Sequence, residues 1–145
     1  MRRSRPSVSV DERMRIYLTH CTAKKDDSLK HTGEEVTPDK LYRGKFVEAF
    51  MRTCKQRGAE WAILSDLYGV WFPDIKHEWY EKNPDSVTDS EFWELVRDLD
   101  EKLQKYDEIW FYRNPGRFHP LYGRLLTATR LTDRIRLFSR IAEIV

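Results

Sequence analysis

The sequence predicts an α/β fold of three layers, in which helices cover both faces of a mostly parallel sheet of roughly four strands. Two observations predict this class. Short apolar segments alternate along the 145 residues with longer segments whose apolar residues recur every three or four positions. Strand and helix therefore alternate, and parallel strands need such a helical crossover between them. The length is sufficient for one domain with its own core.

Four apolar segments are predicted to form the strands of the sheet. They are rich in β-branched or aromatic residues, and each is short enough to be a buried strand. In chain order they are residues 14–20, 61–65, 108–113 and 134–141. The last segment is predicted as a strand, with a final helix as the alternative. Residues 70–88 are predicted to be an ordered loop with at most one short helix.

Three helices are predicted to connect the strands. The first begins at residues 37–39, where a capping hydroxyl, a proline and an acidic residue follow one another, and it ends at Gly58. Its apolar face repeats every four residues over 42–54. The second begins at Thr88, which has capping-box spacing to a glutamate three positions on, and the third begins at Pro120.

The chain is predicted to fold as a single α/β domain over residues 13–145, preceded by a flexible basic arm at residues 1–12. Its charge is unevenly spread. Residues 1–58 carry 14 Lys and Arg against 8 Asp and Glu, whereas residues 74–108 carry 5 against 12. The basic ends could meet a nucleic-acid backbone, or they could pair with the acidic middle of an ordinary charged surface.

The composition also indicates the cellular location and limits the kinds of chemistry that are expected. No apolar run is long enough to cross a bilayer, and Cys21 and Cys54 form no disulfide framework, so a cytoplasmic protein without a membrane partner is expected. The cysteines and histidines lack metal-ligand spacing, so no metal is expected. No cofactor is expected, because the sequence has no glycine-rich phosphate loop. The absence of a Gly-x-Ser-x-Gly elbow argues against a serine hydrolase.

The residues that follow the first predicted strand are the first candidates for a site, because ligands of such sheets bind beyond the carboxyl ends of the strands. Cys21, Lys24 and Lys25 stand there. Either lysine could act as a nucleophile or bind phosphate as a point charge, or both could be solvated and paired with Asp26 and Asp27. Cys21 could be a thiolate activated by its neighbours, or it could belong to the core.

Ser65, Tyr68 and Gly69 follow the second predicted strand and are candidates for substrate binding. The Ser65 hydroxyl could donate to a ligand or cap the turn. Gly69 is expected to supply a backbone angle that other residues avoid. Asp74 could supply a general acid or base, although its loop is acidic in any case.

Tyr112, Arg113, Asn114 and His119 surround the end of the third predicted strand and are also candidates for substrate binding. An arginine with aromatic neighbours can pair with phosphates and stack on bases. His119 precedes Pro120 and would stand at the start of a helix, where an anion is favoured. Alternatively, these loop residues satisfy local backbone groups.

Several short motifs of the chain belong to one recognisable set. They are Cys21-x-x-Lys24-Lys25, Leu41-Tyr42-x-Gly44-x-Phe46, Leu64-Ser65-x-x-Tyr68-Gly69-x-x-x-Pro73-Asp74, Tyr80 and His119-Pro120. Their order and spacing resemble a widespread uncharacterised prokaryotic family, whose members have a C-x-x-K-K start, an L-Y-x-G-x-x-F helix and an L-S-x-x-Y-G-L-x-x-P turn. Here the phenylalanine comes one residue early, and Val70 replaces the leucine after the glycine.

More distantly, the layout resembles the YaaA-type peroxide-stress proteins and a domain of archaeosine synthase, a tRNA-modifying enzyme. This resemblance implies a uracil-DNA-glycosylase-like fold. In the synthase domain, a lysine four residues after a cysteine is implicated in chemistry on a modified guanine, and Lys25 stands four residues after Cys21. Thr22 replaces the serine of that motif, and Asp26-Asp27 replace its Pro-Tyr. The G-Q-D-P-Y-H motif is absent, which argues against uracil excision.

The leading expectation is a nucleic-acid or nucleobase-related enzyme or binder, whose partner is RNA, DNA or a nucleotide. Lys25 would be the nucleophile or a phosphate contact, and Tyr68 or Tyr112 would stack on a base. One alternative is an enzyme that acts on a free nucleotide or nucleoside. Another is a non-catalytic domain that meets a protein through the acidic helix face at 90–108 or the aromatic loop at 70–80.

Overall fold

The computed structural model describes residues 14–114 and 118–145, so the predicted arm at 1–12 lies outside the described residues. A main sheet of five strands is accompanied by a small sheet of two strands, and all are numbered in chain order. They are β1 Arg15–His20, β2 Glu35–Val36, β3 Trp61–Ser65, β4 Gly69–Trp71, β5 His77–Glu78, β6 Glu108–Tyr112 and β7 Ile135–Phe138.

The main sheet has the strand order β4-β3-β1-β6-β7 and is mostly parallel. β3, β1, β6 and β7 are parallel to one another, with registers such as Tyr17↔Trp61 and Tyr17↔Trp110. These four strands lie in the four predicted segments, and the α/β class with a mostly parallel sheet is confirmed. The segment 134–141 contains a strand, as predicted. β4 adds a fifth strand, antiparallel to β3.

Helices cover both faces of the sheet. They are α1 Pro38–Leu41, α2 Lys45–Arg57, α3 Asp89–Leu103 and α4 Pro120–Ala128. Successive residues of a strand point to opposite faces, and in β6 Tyr112 stacks on Phe50 of α2. Its neighbour Phe111 stacks on His20, which in turn stacks on Tyr122 of α4. Consequently α2 and α4 lie on opposite faces, and α3 packs beside α4 and β4.

The prediction of one continuous helix over 37–58 is wrong, because α1 and α2 are separated by an extended break at residues 42–44. Lys25 and Tyr42 form an antiparallel bridge, which draws the backbone out of the helix. Gly44 follows with φ of 133°, which residues with a side chain rarely adopt. Tyr42 is fully buried although it is not helical. Its position in the apolar repeat therefore reflects burial and does not show that the residue is in a helix.

The prediction of a loop over 70–88 is wrong at two places: β5 forms at His77–Glu78 and pairs with β2, and β4 forms an edge strand of the main sheet at the start of the segment. Two side chains of α3 bind the outer edge of this strand: Asp98 Oδ2 accepts the Val70 N–H at 2.8 Å, and the Lys102 ammonium donates to the Val70 carbonyl at 2.9 Å. These bonds satisfy backbone groups that an edge strand leaves free. Gly69 permits the close approach, since a Cβ at that position would lie 2.7 Å from Asp98 Cγ.

The two later helix starts are confirmed. The Thr88 hydroxyl accepts the Glu91 N–H, and the Glu91 carboxylate accepts the Thr88 N–H, so the predicted capping box is complete. α4 begins at Pro120, as predicted. Across residues 14–114 and 118–145, no helix is long and apolar enough to span a membrane.

Candidate functional site

A cavity of about 470 Å³ lies where β1, β3 and β6 end, at the edge of the sheet that the sequence predicts. Three of its lining residues come just after these strands: Cys21 and Asp66 are one residue past β1 and β3, and Asn114 is two residues past β6. The remaining walls come from the loop after β1, from α2, from the start of α4 and from the segment before α3. These lining residues are His20, Thr22, Ala23, Lys25, Phe46, Tyr80, Lys82, Asn83, Pro84, Asp85, His119 and Tyr122.

The polar floor of the cavity is formed by Cys21, Asp66 and Tyr122. The Cys21 thiol donates to Asp66 Oδ1 at 3.7 Å, and its sulfur lies 3.1 Å from the Tyr122 hydroxyl. Asp66 is only 3% exposed. Burial raises the pKa of its carboxyl, and the positive charges of Lys25 and Lys82 offset part of this rise. A buried carboxyl with a perturbed pKa in a cavity is a typical mark of a functional site.

Cys21 is held in the thiol form by the same surroundings. Burial and the neighbouring Asp66 charge raise the pKa of Cys21 to about 11. Its backbone N–H donates to the Leu64 carbonyl of β3 at 3.0 Å, so the backbone at Cys21 is fixed beside β3. The thiolate that the sequence suggested as a nucleophile is therefore a minor species at neutral pH.

His20 forms part of the inner wall and is held between aromatic rings. It stacks on Tyr122 with ring centroids 5.0 Å apart, and Phe118 meets it edge-on. Its Nδ1 lies 2.9 Å from the Cys21 carbonyl and must donate to it, so Nε2 is an acceptor. Within the described residues this buried Nε2 has no hydrogen-bond partner. Burial also lowers the pKa of His20, which favours the neutral ring.

Lys25 reaches into the cavity from the loop after β1. Its backbone is fixed by the bridge to Tyr42, and its ammonium lies over the Tyr80 ring, 4.4 Å from the centroid. The ammonium has one hydrogen bond among the described residues, to the Ala23 carbonyl at 3.5 Å. Lys25 thus combines a fixed backbone with a cation that is free to bind a ligand.

The segment before α3 forms the outer wall, and two contacts hold it. The Lys82 ammonium binds Glu91 at 3.3 Å, and Asp85 binds His119 Nε2 at 2.7 Å. His119 Nδ1 accepts the Leu121 N–H and so caps α4. His119 lines the cavity, but both of its ring nitrogens are occupied by these contacts.

Of the predicted site residues, Cys21, Lys25, Asn114 and His119 line the cavity. Ser65 lies behind it: the hydroxyl accepts the N–H groups of Leu67 and Tyr68, which caps the turn, and it also bonds to Tyr80. Tyr68 and Gly69 line a smaller neighbouring cavity of about 280 Å³, to which Asp66 also contributes.

Three further predicted residues lie outside the cavity. The Lys24 side chain is exposed to solvent. Tyr112 is buried on the opposite face of the sheet against Phe50. Arg113 is exposed, with its guanidinium 5.0 Å from the Phe118 ring centroid.

Among the lining residues that the sequence interpretation did not include, four have polar groups that matter to the argument for the site: Asp66, Tyr80, Lys82 and Tyr122. Asp66 could have been found, since it directly follows a predicted buried strand, as Cys21 does. Tyr122 stands two residues after a predicted helix start. Tyr80 was part of the motif set, but no function was assigned to it. Lys82 has no local signal, because the chain carries it back to the sheet edge from a separate segment.

No group of three His, Cys, Asp or Glu side chains in the described parts of the chain is arranged to hold a metal ion. No family model, curated protein or solved structure matches this chain.

Proposed function

We propose that the protein binds a nucleobase-containing ligand in the 470 Å³ cavity, for catalysis or for recognition. The observation that carries this proposal is the buried Asp66 carboxyl at the floor of a cavity with aromatic walls. A nucleobase presents hydrogen-bonding groups along its edge and flat apolar faces, which suit a carboxyl group and aromatic rings respectively. The volume falls within the range of small-molecule sites.

An enzymatic version of this proposal assigns proton transfer to Asp66. Its raised pKa moves the carboxyl toward the range in which a general acid or base works at neutral pH. Lys25, the candidate nucleophile, and Cys21 line the same cavity. This grouping supports the proposed kinship with the uncharacterised prokaryotic family and with the uracil-DNA-glycosylase-like fold group.

The nucleobase can belong to a polynucleotide or to a free nucleotide or nucleoside. Arg113 supports the polynucleotide, because it is exposed beside the Phe118 ring near the carboxyl edge of the sheet. The walled shape of the cavity supports the small molecule. The salt dependence of binding distinguishes a polynucleotide from a small molecule, since affinity for a phosphate backbone falls steeply as the salt concentration rises.

A second candidate function, docking of a protein partner, has one observation in its favour. Trp93 of α3 is 55% exposed on the acidic helix that the sequence suggested as an interaction face. A tryptophan in such a position is a typical anchor of protein interfaces. This function predicts that changes in the cavity leave binding of the partner intact.

Calorimetric titration with adenosine, guanosine, cytidine and uridine tests the proposed function. We expect at least one nucleoside to bind the wild type and raise its melting temperature. Asp66→Asn should weaken that binding by roughly tenfold or more, because an N–H of the bound base that donates to the Asp66 carboxylate would lose its charged acceptor. Asp133→Asn, at an exposed position far along the chain, should bind as the wild type does.

Fluorescence anisotropy with single-stranded RNA, tRNA and duplex DNA at two salt concentrations completes the test. Salt-sensitive binding would identify a polynucleotide as the source of the base. If neither nucleosides nor nucleic acids bind, or if Asp66→Asn binds as tightly as the wild type, the proposed function is wrong.

A further inference from the structure

The cavity receives two ammonium groups from distant parts of the chain, Lys25 after β1 and Lys82 before α3. We propose that these two lysines together bind one phosphate group of the ligand, so that the cavity selects a nucleoside monophosphate over the nucleoside. This inference rests on the proposed nucleobase site and adds an anion subsite to it. Lys82 and its pairing with Lys25 were not indicated by any sequence motif.

Lys25 has no salt-bridge partner in the part of the chain that the structure describes. Its hydrogen bond to the Ala23 carbonyl is long, at 3.5 Å. The Tyr80 ring at 4.4 Å attracts the cation but leaves its N–H donors available. Because the bridge to Tyr42 fixes the backbone, the ammonium is held beside the cavity before any ligand arrives.

Lys82 is partly buried, with its side chain 16% exposed. Its salt bridge to Glu91 Oε1 measures 3.3 Å, and the same oxygen accepts the Thr88 N–H at 3.0 Å. Glu91 is therefore held by the α3 capping box whether or not Lys82 binds it. An ammonium has three donors, so Lys82 can keep this contact and still donate to a ligand.

Asp66 links the two lysines at the floor of the cavity. The positive charges of both lysines lower the pKa of the Asp66 carboxyl, against the effect of burial. Both ammonium groups are therefore close enough to this carboxyl to interact with it electrostatically. Asp85, the other carboxylate in the lining, is engaged by His119 at the outer wall. Lys82 is paired with Glu91 outside the cavity lining, and Lys25 forms no salt bridge in the part of the chain that the structure describes, so its charge is the one that a ligand can neutralise.

A phosphate group suits this arrangement better than a single-point anion. It carries about −1.5 to −2 charges at neutral pH and three terminal oxygens, so it can meet two ammonium groups from different directions. Lysine binds phosphate as a point charge and needs no planar alignment. The monophosphate can belong to a free nucleotide or to the 5′ end of a strand, since both present the same group.

Titration of the wild type with the four nucleoside 5′-monophosphates and the four matching nucleosides tests the inference. We expect the monophosphate of the preferred base to bind 10- to 100-fold more tightly than its nucleoside, the size of effect that charge-assisted hydrogen bonds give. Lys25→Met and Lys82→Met should each reduce this ratio to below about threefold, and the ratio is the readout because it corrects for any change that the variant causes in nucleoside affinity. Lys24→Met, at the exposed neighbour of Lys25, should keep the full ratio.

The outcomes separate the inference from the proposed function. If the wild type binds a nucleoside and its monophosphate equally, or if Lys82→Met keeps the ratio, the anion subsite is refuted while the base site stands. If neither compound binds, both fail. Melting curves check that each variant folds, and Lys82→Gln replaces Lys82→Met if that variant does not. A 5′-phosphorylated RNA tetramer that binds more tightly than both its 5′-hydroxyl form and the free monophosphate would identify a strand end as the source.

Discussion

Replacing Gly69 with alanine tests whether the fold needs a residue without a side chain at this position. Gly69 has φ of 73°, and a Cβ there would lie 2.7 Å from Asp98 Cγ. The Asp98 carboxylate would have to move, and it accepts the Val70 N–H at the edge of β4. Gly69 was predicted to bind substrate, but its surroundings account for a glycine without any ligand.

The expected cost follows from two parts. An alanine in the left-handed region destabilises the folded state, and its lower flexibility in the unfolded chain offsets part of this cost. The net cost is roughly 1 kcal/mol. Displacing Asp98 breaks a hydrogen bond to a charged group, which adds about 1.5–3 kcal/mol. Gly69→Ala should therefore lower the free energy of unfolding by about 2.5–4 kcal/mol. Gly58→Ala should cost only about 1 kcal/mol, because Gly58 has φ of 65° but no atom within 4 Å of the added Cβ.

Urea denaturation of the two variants measures this difference. With slopes typical of small proteins, the Gly69→Ala midpoint should fall below that of Gly58→Ala by about 1 M urea. In an Asp98→Ala background, Gly69→Ala should cost no more than Gly58→Ala, because the side chain that it displaces is gone. Equal costs for the two single variants in the wild-type background would refute the close-approach argument.

Three other measurements test the charges of the site and the start of α3. In a Cys54→Ala background, Cys21 should react with iodoacetamide at pH 7 about 300-fold more slowly than an ordinary cysteine, because a pKa of about 11 leaves little thiolate; mass spectrometry follows the rate. Asp66→Asn should raise stability near pH 7 and change it little near pH 4. The pKa of Asp66 is raised on folding, so the wild type loses stability as pH rises from the usual carboxyl value through the folded one, and urea curves at both pH values measure this. Thr88→Ala should lower the free energy of unfolding, measured by urea denaturation, by about 1 kcal/mol, since it removes the hydroxyl that accepts the Glu91 N–H.

The parts of the fold that the sequence predicted are those set by local apolar patterns. The four parallel strands and α3 are of this kind, because burial on a strand or on one helix face needs a fixed spacing. The break after α1 and the strand β4 depend instead on distant contacts. Tyr42 leaves the helix to pair with Lys25, and β4 is completed by Asp98, which stands 28 residues beyond Val70. A periodic pattern carries no record of such partners.

The cavity lies at the edge of the sheet that the sequence predicted, but its lining includes only some of the predicted side chains. Tyr112 lies within β6 and points to the α2 face, whereas Asn114 lies two residues beyond the strand, where the alternation has ended, and lines the cavity. Ser65 ends its strand within the core, and the next residue, Asp66, reaches the floor. A shift of one residue along a strand exchanges faces, so strand ends alone give the place of a site and not its members.

Asp66 allows a structural role to be distinguished from a functional one with a single substitution. A carboxyl retained for the fold would be stabilising, and its replacement by the isosteric amide would lower both stability and binding. A carboxyl retained for a ligand carries a desolvation cost that the unliganded fold does not recover, since the Cys21 thiol at 3.7 Å is a weak donor. Asp66→Asn is therefore expected to raise stability at pH 7 while it weakens nucleoside binding, and this opposition is typical of residues kept for activity. A variant that loses stability and binding together would place Asp66 with the core.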